Sequence, residues 1–597
     1  MSAYTPPIDD LRFVLEELAD LDSIRVLPGY EEVQSDLVDA ILSEAGKVAV
    51  QVLAPLNRVG DEVGARLEAG LVVTPPGWQE AFQTFVAGGW SGLMFDPKFG
   101  GQGLPRVVST AVQEMWESSN MSFALWLLLT QAAAEAISII GTAEQKSVYL
   151  SKLVRGEWTG TMNLTEPQAG SDLSAISAIA VPEESGHYLL SGQKMFITYG
   201  DHDLAENIIH LVLARTPDAP DGVKGISLFI VPKFIPDSVG EPGLRNEVRC
   251  VSLEHKLGIH GSPTALMSYG EDRGAVAYLV GEVNRGLEYM FIMMNAARHA
   301  VGVEGYGIAD RAYQQALAYS QERIQGRSIG QRDGARVAII NHPDIQRMLL
   351  EMRCQIEAMR ALGCCTAAAM DRAERHPEAQ VRQQQQRRVD VLIPIVKGWS
   401  TEVGNQITSQ ALQVHGGMGF MEETGAAQHY RDARITTIYE GTTGIQASDL
   451  VGRKLLRDGG EMVREVIADI REDLLSIRNT RNEASDVAGH VEEALSDLED
   501  STAWMLESAG RDQRIPFAAS FDYLMMFGTV VGGWQMACAA GAAAQRLDGG
   551  RGDARFNREK LATARCYVHQ ILPRVRGFSV QIRCGAEAVV AAGDIVF

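Results

Sequence analysis

Met162-Asn163-Leu164-Thr165-Glu166-Pro167-Gln168-Ala169-Gly170-Ser171-Asp172 lies where the chain changes texture. Upstream, from Asp9 to about Gly156, apolar residues recur at three- and four-residue spacing, as in Leu11-Val14-Leu15-Leu18 and Leu37-Ile41-Val48, which is the period of an amphipathic helix. Downstream the pattern turns to short β-rich runs, Tyr188-Leu189-Leu190, Met195-Phe196-Ile197, Ile208 to Leu213 and Ile226 to Val231, separated by Gly, Pro or Asp. The turn Asn284-Arg285-Gly286 closes that region, and helical periods resume through Leu287 to Arg323, Pro343 to Arg375 and Val389 to Leu412. Helices of that length with short connections predict an antiparallel bundle.

Asp458-Gly459-Gly460 breaks the pattern and opens a last helical region, with helices expected over Met462–Ile477, Val487–Ala509, Phe517–Leu547 and Arg558–Ala592. The predicted fold class is therefore mainly α with a central β domain. The expected domains are 1–156 (helical), 157–286 (β-sheet), 287–457 (helical bundle) and 458–597 (helical extension). A chain of 597 residues is too long for one core, which agrees with several domains.

Composition removes some functions. A formal charge of -22 repels nucleic acid phosphates and anionic membranes, and the strongest basic cluster, Arg382 to Arg388, is interleaved with glutamines as on a solvated helix face. The seven cysteines include no CxxC pair, so neither disulfides nor a metal site is expected. The N-terminus is acidic and lacks the basic and apolar regions of a secretory signal, which points to the cytoplasm. Met525 to Ala544 is about long enough to span a bilayer, but its Ala and Gly insert poorly and suit close helix packing, so a buried bundle helix is expected there rather than stable membrane insertion.

A second run, Ile438-Tyr439-Glu440-Gly441-Thr442-Thr443-Gly444, offers a carboxylate beside a small-residue turn. Together the two runs resemble the flavin loop and the catalytic-base loop of the acyl-CoA dehydrogenases, over about residues 35 to 455. The resemblance implies a helical domain, a sheet domain and a helical bundle, FAD as cofactor, an acyl-CoA substrate and an electron-transfer flavoprotein as electron acceptor.

It also implies roles for single residues. Glu440 is the base that removes the proton next to the thioester carbonyl, and burial against an acyl chain raises a carboxyl for that task. Met162, Leu164, Thr165, Gly170 and Ser171 meet the flavin, as do Phe196, Thr198 and Thr442. Many relatives carry Trp where Phe196 stands. Ser171, Asn295, Arg298, Tyr439 and Gly441 lie toward the substrate. Gln413 and Gly417, in the glycine-rich turn Gln413 to Phe420, together with Arg323, complete the FAD site of a neighbouring subunit, which implies a homodimer. Gln325 and Gly326 depart from the Thr and Phe of many relatives. The Met290, Met293 and Met294 stripe has the spacing of core, and His415 that of a structural group at a helix end.

Four features resemble a longer bacterial branch that includes 3-methylmercaptopropionyl-CoA and long fatty acyl-CoA dehydrogenases. They are Tyr4 to Phe13, Lys256 to Thr264, Glu440 to Leu456 and the extension after Gly460. The acyl group stays open, because one methylene is worth only about 1–3 kcal/mol of discrimination. Two other readings stand beside this one: an acyl-CoA oxidase, which uses the same base but passes electrons to oxygen, and a non-enzymatic flavin-binding scaffold.

Overall fold

Valine, isoleucine and leucine crowd residues 207–215 and 226–232 so densely that both faces of these strands need cover. In the computed structural model, which describes residues 3–330 and 334–596, nearly every residue of both strands is buried. They belong to an eight-stranded sheet, numbered here β1 (Trp158–Asn163), β2 (Ile179–Pro182), β3 (Tyr188–Thr198), β4 (Asn207–Arg215), β5 (Ile226–Pro232), β6 (Val248–Leu253), β7 (Thr264–Tyr269) and β8 (Ala275–Val280). The strand order is β6-β7-β3-β8-β5-β4-β1, with β2 bridging β3 and β4. β1 and β4 run parallel from Trp158 opposite Asn207 to Asn163 opposite Val212, and the long pairings β3–β7 and β4–β5 are antiparallel. The two runs expected at Tyr188 and Met195 are one strand, because Ser191 continues its ladder opposite Ile179 on β2, and Gly192 and Gln193 opposite Tyr269 and Ser268 on β7.

By compactness the chain resolves into two units. One contains this sheet with residues 47–104 and 119–297. Its core joins Val212, Phe229, Val231, Ile197, Met267 and Ala277 between the strands. The purely helical reading of the first 156 residues needs one correction: Arg66–Glu68 and Leu71–Val73 form a β-hairpin. Its turn residues Ala69 and Gly70 both have positive φ, the conformation that a two-residue hairpin turn demands and that helical periodicity does not signal.

The other unit contains the described parts of 1–46, 105–118 and 298–597. The longer helices are numbered α1 (Arg106–Ile140), α2 (Gly286–Glu322), α3 (Pro343–Arg375), α4 (Ala379–His415), α5 (Glu461–Asn479), α6 (Glu483–Ala509), α7 (Ser520–Asp548) and α8 (Ala554–Cys566). Helix α1 is broken at Asn120 (φ -159°, ψ 84°), whose side-chain oxygen accepts from the Phe123 amide and caps the second segment. Pro343 opens α3, where its missing N–H costs nothing.

Helices α1 and α7 are long and apolar enough to cross a membrane, but 72% and 94% of their apolar windows are buried inside the protein. Helix α7 sits at the centre of the helical core. At Gly528 an added Cβ would lie 2.2 Å from Trp399 Cγ on α4, so only glycine permits that approach. The single helix expected over Arg558–Ala592 is instead α8 followed by shorter segments, interrupted before Arg574 by Pro573. Ion pairs tie the start of this unit to its end: Arg546 on α7 holds Glu16 and Glu17, both at 2.6 Å, and Lys560 on α8 holds Asp10.

Candidate active site

In the sheet unit, residues 162–172 leave β1 as a loop folded around one carboxylate. Glu166 is buried and accepts from Lys194 Nζ (2.7 Å), the Ser177 amide and hydroxyl (2.7 and 2.8 Å), the Ala178 amide (3.1 Å) and Gln168 Nε2 (2.6 Å). Lys194 Nζ also donates to Leu164 O at 3.0 Å, and the Met195 amide to Thr165 O at 3.0 Å. Burial alone would raise the Glu166 carboxyl, but the Lys194 ammonium and the Ser177 donors hold it below its ordinary value. Burial pushes Lys194 down to about 8 against the pull of Glu166. Neither residue stood out as functional in the sequence, because a Glu and a Lys so far apart carry no local signal.

The pair fixes the loop that carries Met162, Leu164, Thr165, Gly170 and Ser171, so breaking it should cost the whole arrangement. Lys194→Met is expected to destabilise the sheet unit by about 3–5 kcal/mol, since it leaves Glu166 buried without its counter-charge. Denaturant titration against the wild type measures that loss, and an unchanged midpoint would contradict it.

Strand β3 bulges beside this loop. Lys194 lies opposite Met267 and Ile197 opposite Ala265, so β3 carries an extra residue, and Phe196 takes φ +60° with 55% of its surface exposed between the buried Lys194 and Ile197. Thr198 follows, half-buried at the end of the strand. Met162 is buried, Leu164 and Thr165 are half-buried, and Gly170 and Ser171 are exposed. Asn295 is exposed on the part of α2 that belongs to this unit.

In the helical unit, Glu440 occupies the turn between a short helical segment ending at Thr437 and the helix Thr443–Asp449. Thr442 caps that helix, its hydroxyl accepting from the Ile445 amide at 3.2 Å. Glu440 has φ +52° and Gly441 φ +88°. Three hydrogen bonds from two donors hold the turn's carbonyls: Lys397 Nζ to Gly441 O at 2.7 Å, and Gln446 Nε2 to both Glu440 O and Gly441 O at 3.3 Å. The Tyr439 hydroxyl donates to Glu304 Oε2 on α2.

Glu440 itself is half-buried. Desolvation raises its carboxyl to about 7, against the pull of Lys397 and Arg298. Arg298 is buried and donates to Asp449 Oδ2 at 3.1 Å, while its Nε has no partner. The arrangement can hold a weakly solvated carboxylate poised to take a proton near neutral pH. Glu304, Lys397 and Asp449 were missed in the sequence, since helical spacing does not reveal which residues of α2 and α4 meet the base loop.

Arg323, Gln413 and Gly417 are exposed in this unit, as are Met418 and, at 85%, Phe420. His415 is buried at the end of α4, bonded through Nδ1 to Ala411 O at 2.7 Å and stacked on Tyr319.

Comparison with known proteins gives four matches in chain order. Models of the N-terminal, middle and C-terminal domains of acyl-CoA dehydrogenase match residues 40–157, 161–270 and 284–456, and an acetyl-CoA dehydrogenase C-terminal-like model matches 461–592. The chain is 48% identical to 3-methylmercaptopropionyl-CoA dehydrogenase of Ruegeria pomeroyi, over 98% of this chain and 97% of that one. An acyl-CoA dehydrogenase of Bacillus anthracis complexed with FAD shares the fold at 20% identity, with a TM-score of 0.75 over 94% of this chain and 90% of that one. A chain from a structural study of the electron transferring flavoprotein of Acidaminococcus fermentans is similar at 27% identity, with a TM-score of 0.58 over 71% of this chain and 99% of that one.

Proposed function

The chain belongs to the acyl-CoA dehydrogenase family, and from that premise we propose that it desaturates an acyl-CoA thioester between its α and β carbons, with Glu440 as the base. FAD is its cofactor. The residues fit that group. Phe196 presents an aromatic face on a strand where Lys194 and Ile197 are buried, and a Cβ at Gly170 would meet no atom within 4 Å, so the backbone there is open to a phosphate. Met162, Leu164, Thr165, Ser171, Phe196 and Thr198 would hold the flavin. When bound, the flavin supplies the acceptor for the β-hydride.

The chain's own part is proton removal. Glu440 takes the α-proton, and its main-chain amide is a donor available to the thioester oxygen as charge develops there. Lys397 and Gln446 keep that turn in place through its carbonyls, and Arg298 lies close enough to act on the Glu440 charge. The observation that carries the reading is Glu440 held in a turn at φ +52° whose carbonyls are fixed by Lys397 and Gln446, with Lys397 and Arg298 close enough to act on its charge. Because the base works deprotonated, reduction by substrate is expected to rise with pH through about 7 and to fail below it.

The substrate we propose is a short acyl thioester, with 3-methylmercaptopropionyl-CoA first on account of the Ruegeria relative. The proposed electron acceptor is an electron-transfer flavoprotein, and the proposed site of action is the cytoplasm. Anaerobic bleaching of the flavin across a series of acyl-CoA thioesters tests the reaction and ranks the substrates. A yellow protein that no acyl-CoA bleaches would overturn it. Peroxide as the main product of aerobic turnover would reassign the acceptor to oxygen.

We also propose a homodimer that completes each FAD site from the partner, supported by the exposure of Arg323, Gln413, Gly417 and Phe420 in the single chain. Arg323→Ala is then expected to weaken FAD retention roughly ten- to a hundredfold, the worth of one charge-assisted hydrogen bond. Dilution should worsen the loss. Equilibrium dialysis at several protein concentrations, with light scattering, measures both effects, and wild-type flavin content independent of concentration would contradict the shared site.

A further inference from the structure

The base loop is tied from both sides of Glu440 by side chains on different helices. On the N-terminal side Tyr439 donates its hydroxyl to Glu304 on α2, and on the C-terminal side Lys397 on α4 donates to Gly441 O at 2.7 Å. Glu304 and Lys397 are both fully buried, so each tie is made in a medium where charge acts strongly. Between them Glu440 has φ +52°, a conformation that costs a non-glycine residue about 1–3 kcal/mol and persists only where the surroundings over-determine it. The second carboxylate oxygen of Glu304, Oε1, is buried with no hydrogen-bond partner. A plain structural anchor for a tyrosine hydroxyl would need no ionisable group here, and a glutamate is costly at such a position.

We propose that Glu304 and Lys397 are positioning residues for the base, clamping its strained turn from either side and acting on the Glu440 carboxylate with opposite charge. The proposal rests on Glu440 being the base. The groups that face Glu440 are Lys397 from α4, Arg298 and Glu304 from α2, and Tyr439 beside it. Behind them Glu117 on α1 repels Glu304, Asp449 is engaged by Arg298 and Arg453, and Glu402 on α4 binds Thr443 and pulls on Lys397. Burial and then Glu440 itself push Glu304 up, although the Tyr439 hydroxyl favours its ionised form. Burial pushes Lys397 down to about 8, against the pull of Glu440 and Glu304. Glu440 and Glu304 therefore titrate as an interacting pair rather than singly.

The test is stopped-flow reduction of the FAD-loaded enzyme by saturating acyl-CoA, across pH, for Lys397→Met, Lys397→Arg, Glu304→Gln and Tyr439→Phe. Flavin content and circular dichroism check that each variant folds. Lys397→Met should move the rising limb up by about 1–3 pH units, because an opposite charge has been withdrawn from the base. Lys397→Arg keeps the charge and should leave the limb in place. In the wild type the limb should be broader than one titration, and Glu304→Gln should narrow it to a single-proton step that is not displaced upward. Tyr439→Phe cuts the tie but keeps both carboxyls, so it should lower the limiting rate while the limb stays broad.

Limbs that coincide with the wild type in Lys397→Met and Glu304→Gln would overturn the proposal. So would the same upward displacement in both, or in Lys397→Arg, since that would be a packing effect without regard to charge. If Lys397→Met does not fold, the Glu304→Gln and Tyr439→Phe profiles decide alone. These outcomes are separable from failure of the base assignment: Glu440→Gln bleaching at the wild-type rate would remove Glu440, whereas an inactive Glu440→Gln beside unmoved limbs would remove only the clamp.

Discussion

Glu440→Gln is expected to give a folded, yellow protein that still binds acyl-CoA but whose flavin is bleached about a hundred to ten thousand times more slowly than in the wild type. The folding half of this expectation follows from where the turn is held. The bonds from Lys397 and Gln446 to the turn all end on main-chain oxygens, and Tyr439 is held through its own hydroxyl. None uses the Glu440 carboxyl. Glutamine keeps the shape and one acceptor but has no basicity, so only the proton-accepting step is removed. Rapid-mixing anaerobic reduction, with acyl-CoA binding measured separately, checks both halves. Reduction within a few-fold of wild type would show that another group is the base.

Deleting residues after Asp458 should drive the protein into aggregates or a higher oligomer. Helices α5 to α8 would be lost, and α7 carries Leu524, Phe527, Val530, Val531 and Trp534, all buried in the core shared with α3 and α4. Trp399 and Gly398 on α4, which pack against Gly528 and Leu524, would face water. Each large apolar side chain uncovered forfeits about 1.5–3 kcal/mol, and a native domain has only about 5–15 kcal/mol in hand. The polar cost adds to this. Glu357 would lose Lys560 and Thr563, and Arg353 would lose Glu559. Sedimentation and light scattering of the shortened protein are expected to show aggregates or a higher oligomer, and a well-behaved dimer would show that the extension covers nothing essential.

How much of this was legible in the sequence depended on whether the relevant signal was local. The helix starting at Pro343 and the break at Asp458-Gly459-Gly460 announce themselves through proline, glycine and period, and the structure has them there. The Glu440 turn is also a local pattern. The hairpin at 66–73 was hidden because its strands are only three residues each, too short for alternation to show. The break at Asn120 was hidden because one asparagine in an apolar helical run is unremarkable until its side chain caps the second segment.

The polar partners of the two motifs were hidden for a different reason. Glu166 and Lys194, or Glu304 and Tyr439, are brought together by tertiary packing alone, and a charged residue on a helix reads by default as a solvated one. In this chain several such residues are buried, and their burial gives the loops their shape.

The helical unit also has a consequence for biosynthesis. It is assembled from both ends of the chain, with Asp10 meeting Lys560 and Glu16 and Glu17 meeting Arg546. None of those bonds can form until the ribosome has passed residue 546, and the Asp10 pair waits for residue 560. At about 5–20 residues per second that delay is roughly half a minute to two minutes for the N-terminal residues, and for its last roughly 10–40 seconds the apolar faces of α3 and α4 exist without α7. The sheet unit, whose residues all precede 298, has no such wait. The nascent chain should therefore emerge with a finished β module tethered to helices that need chaperone protection until α7 and α8 have been made, and heterologous yield should respond to chaperone supply and growth temperature more than to codon choice in the first half of the gene.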